Sequence, residues 1–337
     1  MTILVTGGAG YIGSHMVHAL VDAGEPVVVL DNLSTGFDWA VAEGVPLIVG
    51  ETGDQSLVAK LIADHGVDAV IHFAASIVVP DSVADPLGYY RNNTVNSRAL
   101  IETAIKGGVR HFIFSSTAAV YGNPARVPVS EDDATVPMSP YGSSKLMTEI
   151  MLRDAAAAHG LSYLILRYFN VAGADPAGRA GQATKGATHL IKVAVETALG
   201  LRPRIDVYGT DYDTADGTCI RDYIHVSDLV RAHADALRYL RGGGTPLTLN
   251  CGYGHGSSVL EVIDTVKRVA GVDFEVALGA RRPGDPAAII ADGRRIRSLL
   301  GWQPQFDELA TIVGHALAWE RGLAGRGPNR PPARKSR

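Results

Sequence analysis

Cysteine is nearly missing from this chain of 337 residues, where Cys219 and Cys251 are the only two. Two thiols exclude a disulfide scaffold and a cysteine-built metal cluster, and each reads as a small buried hydrophobe. No metal site is expected. An excess of one charge is lacking as well: 31 Lys and Arg against 35 Asp and Glu leave a net charge of −4. That balance gives no electrostatic case for nucleic acid or a membrane surface as partner. No apolar run is long enough to span a bilayer, and the first residues lack the charged region, apolar core and cleavage site of a signal peptide. The expectation is a soluble cytoplasmic protein.

What is present is a large apolar share, 46% of residues, enough for a sizeable core in one α/β domain with a smaller second one. Strand-like runs at 2–6, 26–31, 46–49, 68–73, 111–116 and 162–168 alternate with helical patterns. Runs such as Ala69-Val70-Ile71 and Leu164-Ile165-Leu166 are continuously apolar, as in strands covered on both faces. The pattern predicts a doubly wound parallel sheet of the Rossmann type over 1–170, with segments around 222–250 returning to it. A mixed α/β substrate-binding domain is expected over 171–325, looser in order. The last residues, 326–337, are rich in Gly, Pro and Arg and are expected to be a disordered tail.

The first strand, Ile3 to Thr6, runs into Gly7-Gly8-Ala9-Gly10-Tyr11-Ile12-Gly13 and then a helix-like stretch. Glycines at such a junction permit a tight turn, bring bare backbone against a pyrophosphate and seat the next helix close to its strand. The helix N-terminus then presents free N–H groups and partial positive charge to the phosphates. The following strand ends in Asp31, about 20 positions on, where a carboxylate accepts from the adenosine ribose hydroxyls and repels a 2′-phosphate. NAD is therefore favoured over NADP. The polar run Asn32-Leu33-Ser34-Thr35-Gly36 is placed to close over the adenine.

The chemistry is read from Ser139-Pro140-Tyr141-Gly142-Ser143-Ser144-Lys145, ahead of a helical pattern from Leu146 to Ala158. Tyr141 and Lys145 are four apart and share a face on a helix. A free tyrosine, with a pKa near ~10, is a poor base at neutral pH, but a nearby ammonium and a positive nicotinamide both favour the phenolate. The strand-like run Phe112 to Thr117 delivers hydroxyls at its carboxyl end. There Thr117 can hydrogen-bond a reacting oxygen and pass its proton to Tyr141.

With these residues assembled, the chain resembles the nucleotide-sugar enzymes of the NAD-dependent epimerase/dehydratase family, within the extended short-chain dehydrogenase/reductase superfamily. The resemblance runs from residue 1 to about 320 and rests on Thr6 to His15, Asp31-Asn32-Leu33, His72 to Ala75, Tyr89 to Asn93, Ser115 to Gly122, Tyr141 to Lys145, Leu166 to Asn170, Arg221 to Val226 and Arg281 to Asp285. It implies that Gly7, Gly10, Tyr11, Ile12, Gly13, Asp31, Asn32, Leu33, Ser34, Thr35, Gly36, Glu51, Thr52, Phe73, Ala74, Ala75, Asn92, Ser115, Tyr141, Lys145 and Phe169 surround NAD. It implies a UDP-sugar held by Thr117, Tyr141, Asn170, His189, Leu190, Tyr208, Arg221, Arg282, Asp285 and Ile289, the arginines being suited to a diphosphate. Thr117, Tyr141 and Lys145 are the implied catalytic set.

The implied reaction interconverts UDP-galactose and UDP-glucose through a transient 4-keto sugar and NADH. Related 4,6-dehydratases carry Asp-Glu after the active-site threonine, whereas here those positions are Ala118 and Ala119, and alanine moves no proton. Two departures concern cofactor contacts: Ile77 stands where a lysine is common, and Glu51-Thr52 where Asp-Ile is usual. Ile289 occupies the position that limits space at the sugar 2-substituent, and its intermediate size leaves UDP-N-acetylglucosamine open. A UDP-pentose is also open. A reading of another class, a non-catalytic NAD-binding regulator, predicts loss of the catalytic set. A homodimer is implied by the resemblance and by the prevalence of two-fold dimers.

Overall fold

The computed structural model describes residues 1–184, 186–282 and 285–324. The expected tail, 326–337, lies outside the described residues, as do Lys185, Pro283 and Gly284. Seven parallel strands form the central sheet: β1 (Thr2–Thr6), β2 (Val27–Asp31), β3 (Leu47–Val49), β4 (Val67–His72), β5 (His111–Thr117), β6 (Ser162–Tyr168) and β7 (Leu247–Cys251). Their spatial order is β7-β6-β5-β4-β1-β2-β3, so the order reverses beside β1, where open α/β sheets bind ligands beyond their carboxyl ends. Six strands match the apolar runs to within one residue at either end. The seventh was missed as a strand. It is five residues long and mixes Leu247 and Leu249 with Thr248 and Asn250, too weak a run to separate from a loop.

Side chains alternate across the sheet because successive Cβ atoms point to opposite faces. Ile3, Val5, Ile71, Ile113 and Leu164 face one side and pack with Met16, Val17 and Leu20 of α1 (Tyr11–Asp22). Leu4, Val70, Phe112 and Ile165 face the other, against α2 (Gln55–His65), α3 (Asn96–Lys106) and α4 (Pro140–His159). Numbering only the longer helices, α5 (Leu190–Ala198), α6 (Val226–Arg241), α7 (Val259–Ala270) and α8 (Leu309–Ala324) follow. Through Leu229, Ala232 and Leu240 of α6 the first face continues into Ile191, Ile263, Trp302 and Leu317. The later part of the chain thus shares a core with the sheet. Short strands complete it, among them Asn170–Ala172 paired in parallel with Tyr223–His225.

Candidate active site

At the carboxyl end of β1, the glycine turn has no room for a side chain at Gly7 or Gly13. A Cβ on Gly13 would lie 2.0 Å from the Gly7 carbonyl oxygen, and one on Gly7, at φ +70°, 2.7 Å from the Ala74 nitrogen. Gly10 caps α1 with no side-chain bond, and its first turn holds no acidic residue. A helix start of that kind leaves its N–H groups and positive end for an anion. Asp31 braces the turn: its Oδ2 accepts from Ala9 N at 2.9 Å and its Oδ1 from Leu33 N at 2.8 Å. Leu33 sits at φ 57°, a left-handed conformation that costs a bulky residue energy and persists only when neighbours impose it. Phe37 N donates to Ala9 O at 3.0 Å, and Asn32 Nδ2 donates to Glu51 Oε1 at 3.1 Å. Residues 31–37 are thereby fixed against the glycine turn. This crowded, uncapped, acid-braced cradle fits a dinucleotide.

The chemical centre stands on β5 and α4. Ser139 Oγ caps α4 by accepting from Gly142 N, and Pro140 occupies its first turn, where a missing N–H costs nothing. The helix therefore starts before the pattern from Leu146 suggests, and Tyr141 and Lys145 share its inward face. Burial dominates at Tyr141 and pushes the phenol up to about 12, with the Thr117 hydroxyl acting in the opposite direction. Thr117 Oγ1 accepts from Ala119 N at 3.1 Å, which leaves its own hydrogen for another acceptor. Burial pulls Lys145 down to about 7, opposed by the Glu149 carboxylate. Its ammonium donates to Ser115 O at 2.9 Å and lies 4.9 Å above the Phe114 ring.

Several supporting residues went unread in the sequence. His233 Nδ1 is 2.9 Å from Leu229 O and its Nε2 2.8 Å from Ser115 Oγ. A carbonyl only accepts, so Nδ1 carries the proton and Nε2 receives the serine's. Burial lowers His233 to about 4, and Phe73 packs on its ring at 4.8 Å. Asn93, in a π-helical turn over Tyr90–Val95, pairs with both backbone groups of Ser76 at 2.8 Å. Its neighbour Asn92 donates to Ser76 Oγ at 2.8 Å. Glu149 binds Arg167, 2.6 Å from Oε2 to Nη2. Its position four residues beyond Lys145 was the available signal.

The expected sugar-nucleotide residues fall into two groups. Asn170, His189 and Leu190, together with Tyr11, a residue expected at NAD, line a cavity of ≈40 Å³ that also touches Gln182, Lys192 and Trp319, of the order of a water rather than a sugar. The second group lies outside that lining: Arg282 stacks 3.9 Å over Tyr208, and Arg221 Nη2 is 3.5 Å from Asp285 Oδ1. Ile289 is buried with Phe169, Ala118 and Tyr121, next to the β5 end. Tyr11 OH donates to Gly173 O at 2.7 Å, and His15 Nε2 accepts from Asp175 N at 3.0 Å. Both bonds tie α1 to the segment after Ala172.

A doubly wound parallel sheet with a crowded glycine turn at its switch point defines a dinucleotide-binding α/β protein of the Rossmann class. The chain belongs to the NAD dependent epimerase/dehydratase family, which matches residues 3–252. It is similar to the UDP-glucose 4-epimerase of Azospirillum brasilense, 60% identical over 95% of this chain and 92% of that protein. Among solved structures it is similar to the UDP-glucose 4-epimerase of Brucella ovis in complex with NAD, with a TM-score of 0.91 at 44% identity, covering 94% and 97% of the two chains. The Stenotrophomonas maltophila UDP-glucose-4-epimerase with bound NAD and formylated UDP-arabinopyranose has a TM-score of 0.93 at 38% identity, covering 96% and 99%.

Proposed function

We propose that this chain interconverts UDP-galactose and UDP-glucose by inverting the sugar at C4, with NAD as resident cofactor. The observation that carries the reading is the buried pair Tyr141 and Lys145 on one face of α4, with Thr117 at the carboxyl end of β5 and an uncapped glycine turn at the carboxyl end of β1. Gly7, Gly10, Tyr11, Ile12, Gly13 and Asp31 would hold the dinucleotide, with Asn32 to Gly36 over its adenosine. Phe73 to Ala75, Asn92, Ser115, Lys145 and Phe169 would line the rest of the dinucleotide site, with Glu51 and Thr52 on its adenine side. When bound, NAD supplies a positive ring beside the phenol and a reversible hydride acceptor for C4.

Tyr141 then takes the proton of the sugar 4-hydroxyl and returns it to the opposite epimer. Burial alone keeps its phenol neutral, so the base form needs added positive charge, to which the Lys145 ammonium contributes. Thr117 holds the reacting oxygen, and Ala118 and Ala119 provide no acid or base for water loss. The keto sugar must turn between half-reactions, so the grip belongs on the nucleotide. Arg221, Arg282 and Asp285, with Tyr208, Asn170, His189 and Leu190, are assigned there, and Ile289 to the sugar rim. In this reading residues 1–170 with 222–250 bind the cofactor, and 171–325 otherwise bind substrate. No described helix is long and apolar enough to cross a membrane. We take the chain as a cytoplasmic homodimer, the commonest closed assembly.

The test is chromatography of UDP-sugars after incubation with the purified protein. UDP-galactose and UDP-glucose are expected to converge on one mixture without added reductant. Tyr141→Phe is expected to lose activity by about 10²-fold or more, the order of a removed general base, while keeping its NAD. Arms with UDP-N-acetylgalactosamine and a UDP-pentose rank the alternatives. Unchanged sugars in every arm, from folded and NAD-loaded protein, would revive the regulator.

A further inference from the structure

The segment that follows Asp31 is fixed to the glycine turn on one side and touches the substrate lobe on the other. Phe37 and Trp39 stack with ring centroids 5.0 Å apart, and Trp39 stacks on Trp319 of α8 at 6.3 Å, both pairs inclined by 28°. Such offsets lie in the favourable range for aromatic pairs. Trp319 is buried, and its Nε1 donates to Gln182 O at 3.2 Å. Its ring lies so close to Gly181 that a Cβ there would be 2.4 Å from it, so the indole is wedged rather than free to turn. Thr184 Oγ1 adds a long bond to Thr35 O at 3.4 Å. On the other side, a Cβ on Gly36 would meet Ala9 at 2.7 Å.

We propose that Trp39 and Trp319 form an aromatic clasp by which the C-terminal helix holds the adenosine loop closed and so retains the cofactor through turnover. They are positioning residues: they hold the loop of Asn32 to Gly36, and that loop would meet the adenosine. The inference rests on the NAD reading above. It adds that retention depends on a contact made from the opposite end of the chain. Opening the loop for NAD to leave requires the Trp39 ring to slide off an indole that cannot follow it. Gly181 and Gln182 abut Trp319, and Gln182 Nε2 lies 3.4 Å from His189 Nδ1, so the same clasp joins the two halves of the site.

The experiment follows loss of NAD from the purified holoenzyme after rapid dilution, measuring released nucleotide by chromatography alongside circular dichroism. Trp39→Leu and Trp319→Leu are expected to release NAD about 10-fold faster than wild type, the order set by one aromatic contact with its apolar area. Trp39→Phe should release it close to the wild-type rate. Activity lost on dilution of the leucine variants should return when NAD is added. Wild-type release from both folded leucine variants overturns the clasp; if Trp319→Leu does not fold, Trp39→Leu decides alone. A wild-type protein that neither carries nor takes up NAD fails the cofactor reading itself, and the clasp with it.

Discussion

Asp31 braces the glycine turn and is proposed to hold the ribose, and only the second role was legible in the sequence. Its place at the end of a strand after a glycine turn pointed to the ribose, but its bonds to Ala9 N and Leu33 N depend on a loop conformation that no local pattern announces. Asp31→Asn is the informative substitution. It keeps the shape but turns one acceptor into an NH2 group facing a backbone N–H. One of the two donors is left unpaired, at a cost of about 1–3 kcal/mol, and the left-handed Leu33 loses its brace. Urea unfolding of the NAD-free protein should show that loss, distinguishing the scaffold role from any effect on cofactor affinity. Thr117, Tyr141 and Lys145 were readable because side chains four apart on a helix and hydroxyls at a strand end are local facts. His233 was not, being 118 residues from the serine it bonds.

On α4, Tyr141, Lys145 and Glu149 succeed one another at four-residue steps along one buried face. Glu149 is gripped by Arg167 of β6, whose Nη1 also reaches Tyr121 OH at 3.0 Å; that hydroxyl in turn donates to Asn250 of β7 at 2.6 Å. One polar chain thus crosses from α4 through two strands. Glu149→Gln leaves the arginine buried without its counter-charge and should destabilise by about 3–5 kcal/mol. Replacing both partners, with Glu149→Leu and Arg167→Met, should recover much of that in the same denaturation experiment, because Tyr121 keeps its bond to Asn250. Of this unit, α4 and β6 were legible from their patterns, whereas β7 was not. The polar chain through them was not, because it joins residues on three separate elements.

For the molecule as a whole, buried histidines set the acid limit of stability. Burial lowers His15 and His233 to about 4, and His72 and His225 to about 3. In the unfolded chain each would titrate near 6.5. Their stabilising effect is complete above that value and is lost as pH falls from about 6.5 toward the native values, by roughly 1.4 kcal/mol per pH unit for each. Urea midpoints should therefore drop steeply from pH 7 to pH 5, with these four histidines together taking up about four protons on unfolding at pH 5. His233→Asn should remove about one proton from that slope. How the later half meets the first was the least legible part. The bonds from Tyr11 to Gly173 and from Asp175 to His15 span distant segments and leave no periodic trace.

The position of β7 bears on how the chain is made. Its partner β6 ends at Tyr168, and β7 begins only at Leu247. A ribosome adding about 5–20 residues per second needs roughly 4–16 s to cover that gap. Throughout that interval six strands can assemble, while the unpaired edge of Leu164, Ile165 and Leu166 remains a template for the wrong neighbour. Synthesis speed, and whatever shields a nascent edge, thus belong among the determinants of yield for this protein.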